Sequence, residues 1–374
     1  MPDLEVHVFY GWKGPGSAID PEFGQKIEWD VPLLDGYEYT FVPNASSDPG
    51  SHRFRGIDNP EIVRLVRDWK PDALLVYGWS FASHLRAMRA FQRKVPIVFR
   101  GDSTLLDESG GMRTLVRRRF LRWVYSHVDV ALYPGARTLD YFRAHGLRDD
   151  QLVWAPHAVD NARFAELGEA KEREAREWRQ HIGIPQGDTV FLFPAKLVPR
   201  KDPSTLLQAF IDLRRRDPEQ KAHLIFVGDG ELSAQLQNEA AGRTDVHFMG
   251  FRNQSVMPVV YRLADVVVLP SLYGETWGLA INEAMACGRP VIVSDRVGCA
   301  IDLVGQSRTG LVFEHGSPTR LGDAMADLLR NGERRRAMGV EAKTMIDAWS
   351  IPAYARIVAD VARSASSPAM HRAG

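Results

Sequence analysis

The sequence predicts an α/β protein built from two parallel-sheet domains. Three observations carry this prediction. Short apolar runs rich in β-branched and aromatic residues recur along the chain, helical patterns lie between many of them, and one charged stretch divides the runs into two series. Near-continuous apolarity suits strands covered on both faces. Strand, helix, strand in repetition means parallel sheets with right-handed crossovers.

The first series runs through 6–10, 73–77, 96–99, 128–133 and 152–154, with helical patterns at 60–69 and 80–92. The second runs through 189–193, 223–227, 246–249, 266–269, 291–293 and 311–313, with helices expected at 205–216 and 232–241. Between them, 168–180 reads as a charged helix with little to bury, ending at Gly183-Ile184-Pro185. The domain change is expected within 165–185. A last helix is expected after Trp349-Ser350 through about Arg363, with disorder from Ser364 onward.

Composition excludes several classes. The chain has 374 residues, 45% hydrophobic and 25% charged, the balance of a globular protein with a core. Lys plus Arg equals Asp plus Glu at 47 each, so net charge calls for no nucleic acid. Two cysteines, Cys287 and Cys299, suggest neither a metal site nor a disulfide framework and fit a reducing compartment. No apolar run reaches the ~20 residues needed to span a bilayer, and the opening residues lack a basic region followed by a long apolar one. A cytoplasmic protein is expected.

The chemistry concentrates in loops that follow strands of the second series. Residues 269–294 read as strand, glycine-containing loop, helix, strand, with Thr276 the expected N-cap and Gly288 the stop. A helix N-terminus at the carboxyl edge of a parallel sheet is a phosphate site. Glu275 falls in the loop and Glu283 two turns into the helix; carboxylates accept paired hydrogen bonds from vicinal hydroxyls, although Glu283 also suits an ordinary helix position and Glu275 an acid favoured near a helix N-terminus. Lys196, Arg200 and Lys201 share the loop after the run 189–193, with Asp202 as N-cap and Pro203 as first helical residue. Such cations would neutralise a diphosphate without a metal, or simply face solvent. Gly228-Asp229-Gly230 and Gly250-Phe251-Arg252 follow the next two runs on the same edge.

These residues resemble the donor site of the retaining GT-B glycosyltransferases, glycosyltransferase family 4. The likeness rests on Lys196 through Lys201, Gly228-Asp229-Gly230 and the Glu275-x7-Glu283 block, and extends to Trp154 through Asp160 and to Trp349-Ser350. It implies two Rossmann-like domains facing a central cleft, with the last helix crossing back to the first domain. The domains would be 1–165 plus 352–364 on the acceptor side and 185–350 on the donor side. Lys196 and Lys201 would contact the diphosphate, the family more often having Arg at the first. Glu283 would hold the ribose, Glu275 the transferred sugar, and the backbone of Thr276, Trp277 and Gly278 the phosphates. Gly228 would border the nucleotide, and Arg252 with Phe251 would lie near the base. The resemblance implies no cofactor and no metal, a UDP- or GDP-sugar donor, and an acceptor that is a polysaccharide, a lipid-linked saccharide or a small molecule.

The first domain departs from the pattern. The run 6–10 looks like the family's second strand, so the first strand and helix are expected to be missing or replaced. Where the family often has a His, this chain has Arg100-Gly101-Asp102-Ser103. Asp102 would contact acceptor or donor sugar, or cap the following turn. Arg113, Arg117, Arg118, Arg119 and Arg122, interleaved with apolar residues, read either as a solvated helix face or as a basic amphipathic helix at the inner face of a membrane. Two other readings stand beside the transferase: a GT-B sugar-nucleotide epimerase, and a catalytically silent sugar-nucleotide-binding protein.

Overall fold

The computed structural model describes residues 3–14, 19–20, 25–26, 28–305 and 308–365. They form two compact units. One comprises 1–18, 32–156 and 352–374; the other comprises 19–31 and 157–351. The chain therefore changes unit after Pro156, upstream of the charged stretch.

In chain order the strands are β1 (His7–Tyr10), β2 (Ile19–Asp20), β3 (Gln25–Lys26), β4 (Glu38–Phe41), β5 (Leu74–Tyr77), β6 (Ile97–Arg100), β7 (Val130–Tyr133) and β8 (Leu152–Trp154). The second series gives β9 (Thr189–Pro194), β10 (Ala222–Val227), β11 (Val246–Phe248), β12 (Val266–Leu269), β13 (Val291–Ser294) and β14 (Gly310–Phe313).

The first unit holds a parallel sheet in the order β5-β6-β7-β8 and a parallel pair β1-β4. Successive side chains of a strand face opposite ways. Ile97 and Phe99 accordingly pack under Met88, Leu121, Val124 and Phe142, while Val98, with Val130 and Leu132, meets Tyr354, Ile357, Val358 and Val361 of the helix Ile351–Ala365. The last helix thus completes the first unit, as the resemblance implies. Strand β4 was not expected from the sequence. Its residues Glu-Tyr-Thr-Phe alternate polar and apolar rather than forming an unbroken apolar run, and its two rings, Tyr39 and Phe41, pack with Tyr10 of β1 and, for Tyr39, with Tyr37.

The second unit holds a six-stranded parallel sheet in the order β11-β10-β9-β12-β13-β14. Phe191 and Phe193 pack with Leu206 and Phe210 on one face; Val190 and Leu192 lie with Tyr261 and Ile281 on the other. From β9 the chain moves outward one way to β10 and β11, then returns to place β12, β13 and β14 on the other side. The loops leaving β9 and β12 therefore diverge, which opens a crevice at the carboxyl edge between them.

The helix Gly168–His181 is not the fully solvated element its composition suggests. Ala175 is buried, Trp178 packs on the core, and Arg179 reaches the Leu263 carbonyl at 2.8 Å and Asp265 at 3.0 Å. A long charged side chain can cover apolar surface with its stem while its head group pairs, so charge density alone understates burial. At the other end, Ser364 and Ala365 belong to the last helix; the rest of the tail expected to be disordered lies outside the described residues.

Candidate functional site

The loop after β9 turns through a short 3-10 segment, Pro199–Lys201, into the helix Pro203–Arg216. Asp202 caps that helix as expected: its carboxylate accepts from Thr205 N at 3.3 Å. Burial pushes the Asp202 carboxyl above its ordinary value. The cap fixes Lys201, the residue immediately before it. From there its ammonium donates to Glu275, which arrives on the loop after β12. Both side chains are largely buried, at 13% and 11% exposed, and Ser271 Oγ donates to the same carboxylate at 3.0 Å. The backbones of the two loops also join, Leu272 N donating to Arg200 O at 2.9 Å. The structure thus brings Lys201 and Glu275 together at the crevice where the strand order reverses.

The loop 275–278 is shaped by its neighbours. Gly298 N donates to Glu275 O and Cys299 N to Trp277 O, each at 3.0 Å. In a trans peptide the N–H lies opposite the C=O, so the amides of Thr276 and Gly278 turn away from the 298–299 backbone. Gly298 permits this approach: a Cβ there would sit 1.8 Å from Thr276 O. The helix Leu279–Ala286 starts from Gly278 at φ +98°, a left-handed position that replaces the cap expected from Thr276. The chain turns into the helix only at Gly278, so Thr276 stands two residues too early to cap it. Trp277 is 3% exposed and donates its Nε1 to Asn282 Oδ1 at 2.8 Å, so it offers its backbone rather than its ring. Asn282 in turn donates to His157 O at 2.8 Å.

Glu283 projects from the same helix. Tyr261, on the helix Met257–Arg262, donates its hydroxyl to Glu283 Oε2 at 2.6 Å. Desolvation raises the Glu283 carboxyl above its usual range, opposed by the Tyr261 hydrogen bond and the charge of Arg163. Burial likewise holds Tyr261 well above the normal phenol range.

The Gly-Asp-Gly loop is zipped to the Lys196 loop. Leu197 N donates to Asp229 O at 2.9 Å and Leu232 N to Leu197 O at 3.0 Å. Gly228, at φ +140°, lies so close that a Cβ would meet Ala195 O at 2.1 Å. Lys196 is half-buried in this joint. Gly250 O accepts from Gly228 N at 2.9 Å, which places the Arg252 loop alongside. Arg252 itself is exposed, its guanidinium 5.7 Å over the Trp178 ring.

Asp102 belongs to the first unit, just past β6. Two residues before it, Arg100 is buried, donating to Ala155 O at 2.7 Å and Pro156 O at 3.2 Å beneath the Tyr354 ring. His84 is half-buried, its Nδ1 3.2 Å from Gly78 O, and burial lowers its pKa.

Sequence reading missed Tyr261, Ser271, Asn282 and His157. Ser271 and Asn282 lie inside the motif segment and are fully buried polar residues, a state that demands partners. Tyr261 has no local signal; only the packing of its helix carries it to Glu283.

Two family models match the chain: "Glycosyl transferases group 1" over residues 174–345 and "Glycosyl transferase 4-like domain" over residues 25–158. A D-inositol 3-phosphate glycosyltransferase of Corynebacterium glutamicum is 34% identical over 178 residues. That match spans 46% of this chain and 42% of the relative, so the chain covers about two fifths of that relative's length. A GDP-mannose-dependent α-(1-6)-phosphatidylinositol monomannoside mannosyltransferase of Mycobacterium tuberculosis is 31% identical over 271 residues, covering 70% of this chain and 68% of the relative. Among solved structures, Anabaena HepE in complex with UDP superposes with a TM-score of 0.69 at 18% identity, covering 87% of this chain and 86% of that one, which establishes the GT-B fold. With both family models in place along the sequence and the mannosyltransferase matched over more than two thirds of its length, the chain belongs to the glycosyl transferases group 1 family.

Proposed function

We propose that this protein is a glycosyltransferase that moves a sugar from a nucleotide diphosphate, UDP- or GDP-linked, onto a sugar-containing or lipid-linked acceptor. The observation that carries the reading is the meeting of Lys201 and Glu275 at the point where the second sheet reverses its strand order. In this reading the second unit, which begins its long stretch at His157 and so includes Arg163, serves the donor, and the first unit serves the acceptor. Lys196, Lys201 and the turned amides of Thr276 and Gly278 take the diphosphate. Glu283 takes the ribose hydroxyls and Glu275 those of the transferred sugar. The loop of Gly228 borders the nucleotide, the loop of Arg252 lies near the base, and Asp102 faces the acceptor or the transferred sugar.

Transfer is retaining and needs no metal in this proposal. The C1–oxygen bond to the diphosphate breaks while the acceptor oxygen bonds to C1 on the same face, and the acceptor proton passes to the leaving phosphate. The two lysines stabilise the charge growing there. The names of the relatives support transfer rather than epimerisation or silent binding: one is an inositol phosphate glycosyltransferase and one a GDP-mannose-dependent mannosyltransferase. The second of these acts on a phosphatidylinositol mannoside, which supports a lipid-linked acceptor.

The helix Met112–Tyr125 supports a cytoplasmic protein resting on the inner face of a membrane. It exposes Met112, Leu115, Val116, Phe120 and Trp123 beside Arg113, Arg119 and Arg122. Among the described residues no helix is long and apolar enough to cross a membrane.

The test is incubation in EDTA with UDP-, GDP- and ADP-sugars, following nucleoside diphosphate release. Release from one donor, abolished in Glu283→Ala and Lys201→Ala, is expected. Failure to bind any donor would overturn the assignment.

A further inference from the structure

Few charges surround Glu283. Tyr261 takes one carboxylate oxygen, and the Cys287 thiol at the end of the same helix, pushed up to about 11 by burial, is uncharged at neutral pH. Arg262 donates to the Cys287 sulfur at 3.3 Å. Among the described residues, the remaining charge acting on Glu283 is Arg163. Its helix, Asn161–Ala165, packs on both the helix of Glu283 and the helix of Tyr261, and the Phe164 ring lies 5.9 Å from that of Tyr261.

Arg163 is held firmly. Its Nη1 donates to Gln254 O at 2.6 Å and its Nη2 to Gln254 Oε1 at 2.8 Å, a two-point fork onto one residue. Its guanidinium lies 4.4 Å over the Phe164 ring. Gln254 is clamped in turn by a segment from far earlier in the chain. Asn253 Nδ2 donates to Glu28 O at 2.6 Å, Ser255 N donates to Asp30 Oδ1 at 3.0 Å, and the Ser255 hydroxyl bonds the same carboxylate. That hydroxyl holds the Asp30 carboxyl below its ordinary value, so the clamp is ionised at neutral pH; Arg163 faces it and also Asp160, whose carboxylate accepts from Arg163 N at 3.1 Å.

We propose that Arg163, fixed by the Gln254 fork and the clamp of residues 28–30, is a positioning residue of the ribose site that supplies the positive field in which Glu283 accepts two hydroxyls. The inference rests on the assignment of Glu283 to the ribose. A carboxylate can accept from both vicinal hydroxyls; a protonated carboxyl gives up part of that capacity to its own proton. Desolvation drives Glu283 toward the protonated form, and an adjacent fixed cation opposes it.

The experiment is the affinity of UDP and GDP, measured by calorimetry from about pH 4.5 to 8, for wild type, Arg163→Met, Arg163→Lys and Glu283→Gln, with melting temperature recorded for each. Wild-type affinity rises as Glu283 ionises. Arg163→Met moves the midpoint of that rise upward by about one pH unit, so its affinity falls roughly tenfold below the midpoint and recovers above it. Arg163→Lys keeps the wild-type midpoint, because the charge remains, and loses affinity evenly, because the fork is gone. An even loss in Arg163→Met with no midpoint shift, or an equal shift in Arg163→Lys, would reduce Arg163 to packing and overturn the inference alone. A Glu283→Gln profile that still follows the wild-type rise would overturn the ribose assignment and the inference with it. Should Arg163→Met fold poorly, Arg163→Gln makes the same comparison.

Discussion

Lys201 and Glu275 each hold the other in a largely buried place, and that mutual dependence shapes what their loss does. Removing one partner of a buried pair leaves an uncompensated charge. Lys201→Ala is therefore expected to lower melting temperature as well as turnover, with kcat down by about 10²–10³ if the ammonium steadies the leaving phosphate. Unchanged kcat in a steady-state assay would remove Lys201 from the chemistry. Glu283 makes the opposite prediction for stability. Its folded-state pKa is raised, so its ionisation is disfavoured by folding. The penalty is absent below the unfolded carboxyl value of about 4.3 and full once pH exceeds the raised folded value. Glu283→Gln should accordingly melt higher than wild type at pH 8 and alike near pH 4, by about 2–4 °C for each kcal/mol removed. It should lose donor binding at the same time. Equal melting at pH 8 would contradict the raised pKa.

At the scale of elements, the 275–278 loop depends on a glycine outside the motif. Gly298 lets Thr276 O approach where a methyl group would collide with backbone that cannot swing aside. Gly298→Ala should cost about 1–3 kcal/mol in chemical denaturation and weaken donor binding by displacing the 275–278 loop. An unperturbed variant would show that the loop is free to shift. The helix Met112–Tyr125 makes a separate prediction. Leu115→Glu with Phe120→Glu should reduce sedimentation with phosphatidylserine-containing vesicles by about tenfold, while release of nucleoside diphosphate from soluble donor stays the same. Binding equal to wild type would return this face to solvent.

At the scale of the whole molecule, the first unit is completed by the last described segment of the chain. Residues 352–365, which follow the second unit in the chain, pack against Val98, Val130 and Leu132 of the first, and Tyr354 meets Tyr77 hydroxyl to hydroxyl at 2.6 Å. A chain ending at residue 350 should keep the six-stranded sheet and lose cooperative melting of the first unit, since an apolar face worth several times ~1.5 kcal/mol is uncovered. Hydrogen exchange in β6 and β7 would report this; full protection there would show that the last helix is dispensable.

Much of this architecture was legible in the sequence. The strands of both main sheets announce themselves as unbroken apolar runs because strands covered on both faces need them, and Asp202-Pro203 announces a helix start because both residues act on their immediate neighbours. The candidate loops were legible for the same reason: Lys201, Gly228 and Glu275 each follow a strand, and Glu283 lies on the helix that the Glu275 loop leads into. What the sequence could not display was who meets whom. Strand β4 alternates too weakly to stand out, Tyr261 lies far along the chain from Glu283, and residues 28–30 lie farther still from Ser255. The order of strands in the second sheet is invisible in a list of strands, yet it alone decides that the loops after β9 and β12 part and that Lys201 and Glu275 share one crevice. Local chemistry is written in adjacent residues, so the sequence by itself determined the elements and the kinds of group each loop carries. Contacts between distant segments depend on packing that no short stretch encodes, so only the tertiary structure decided which of those groups form one site.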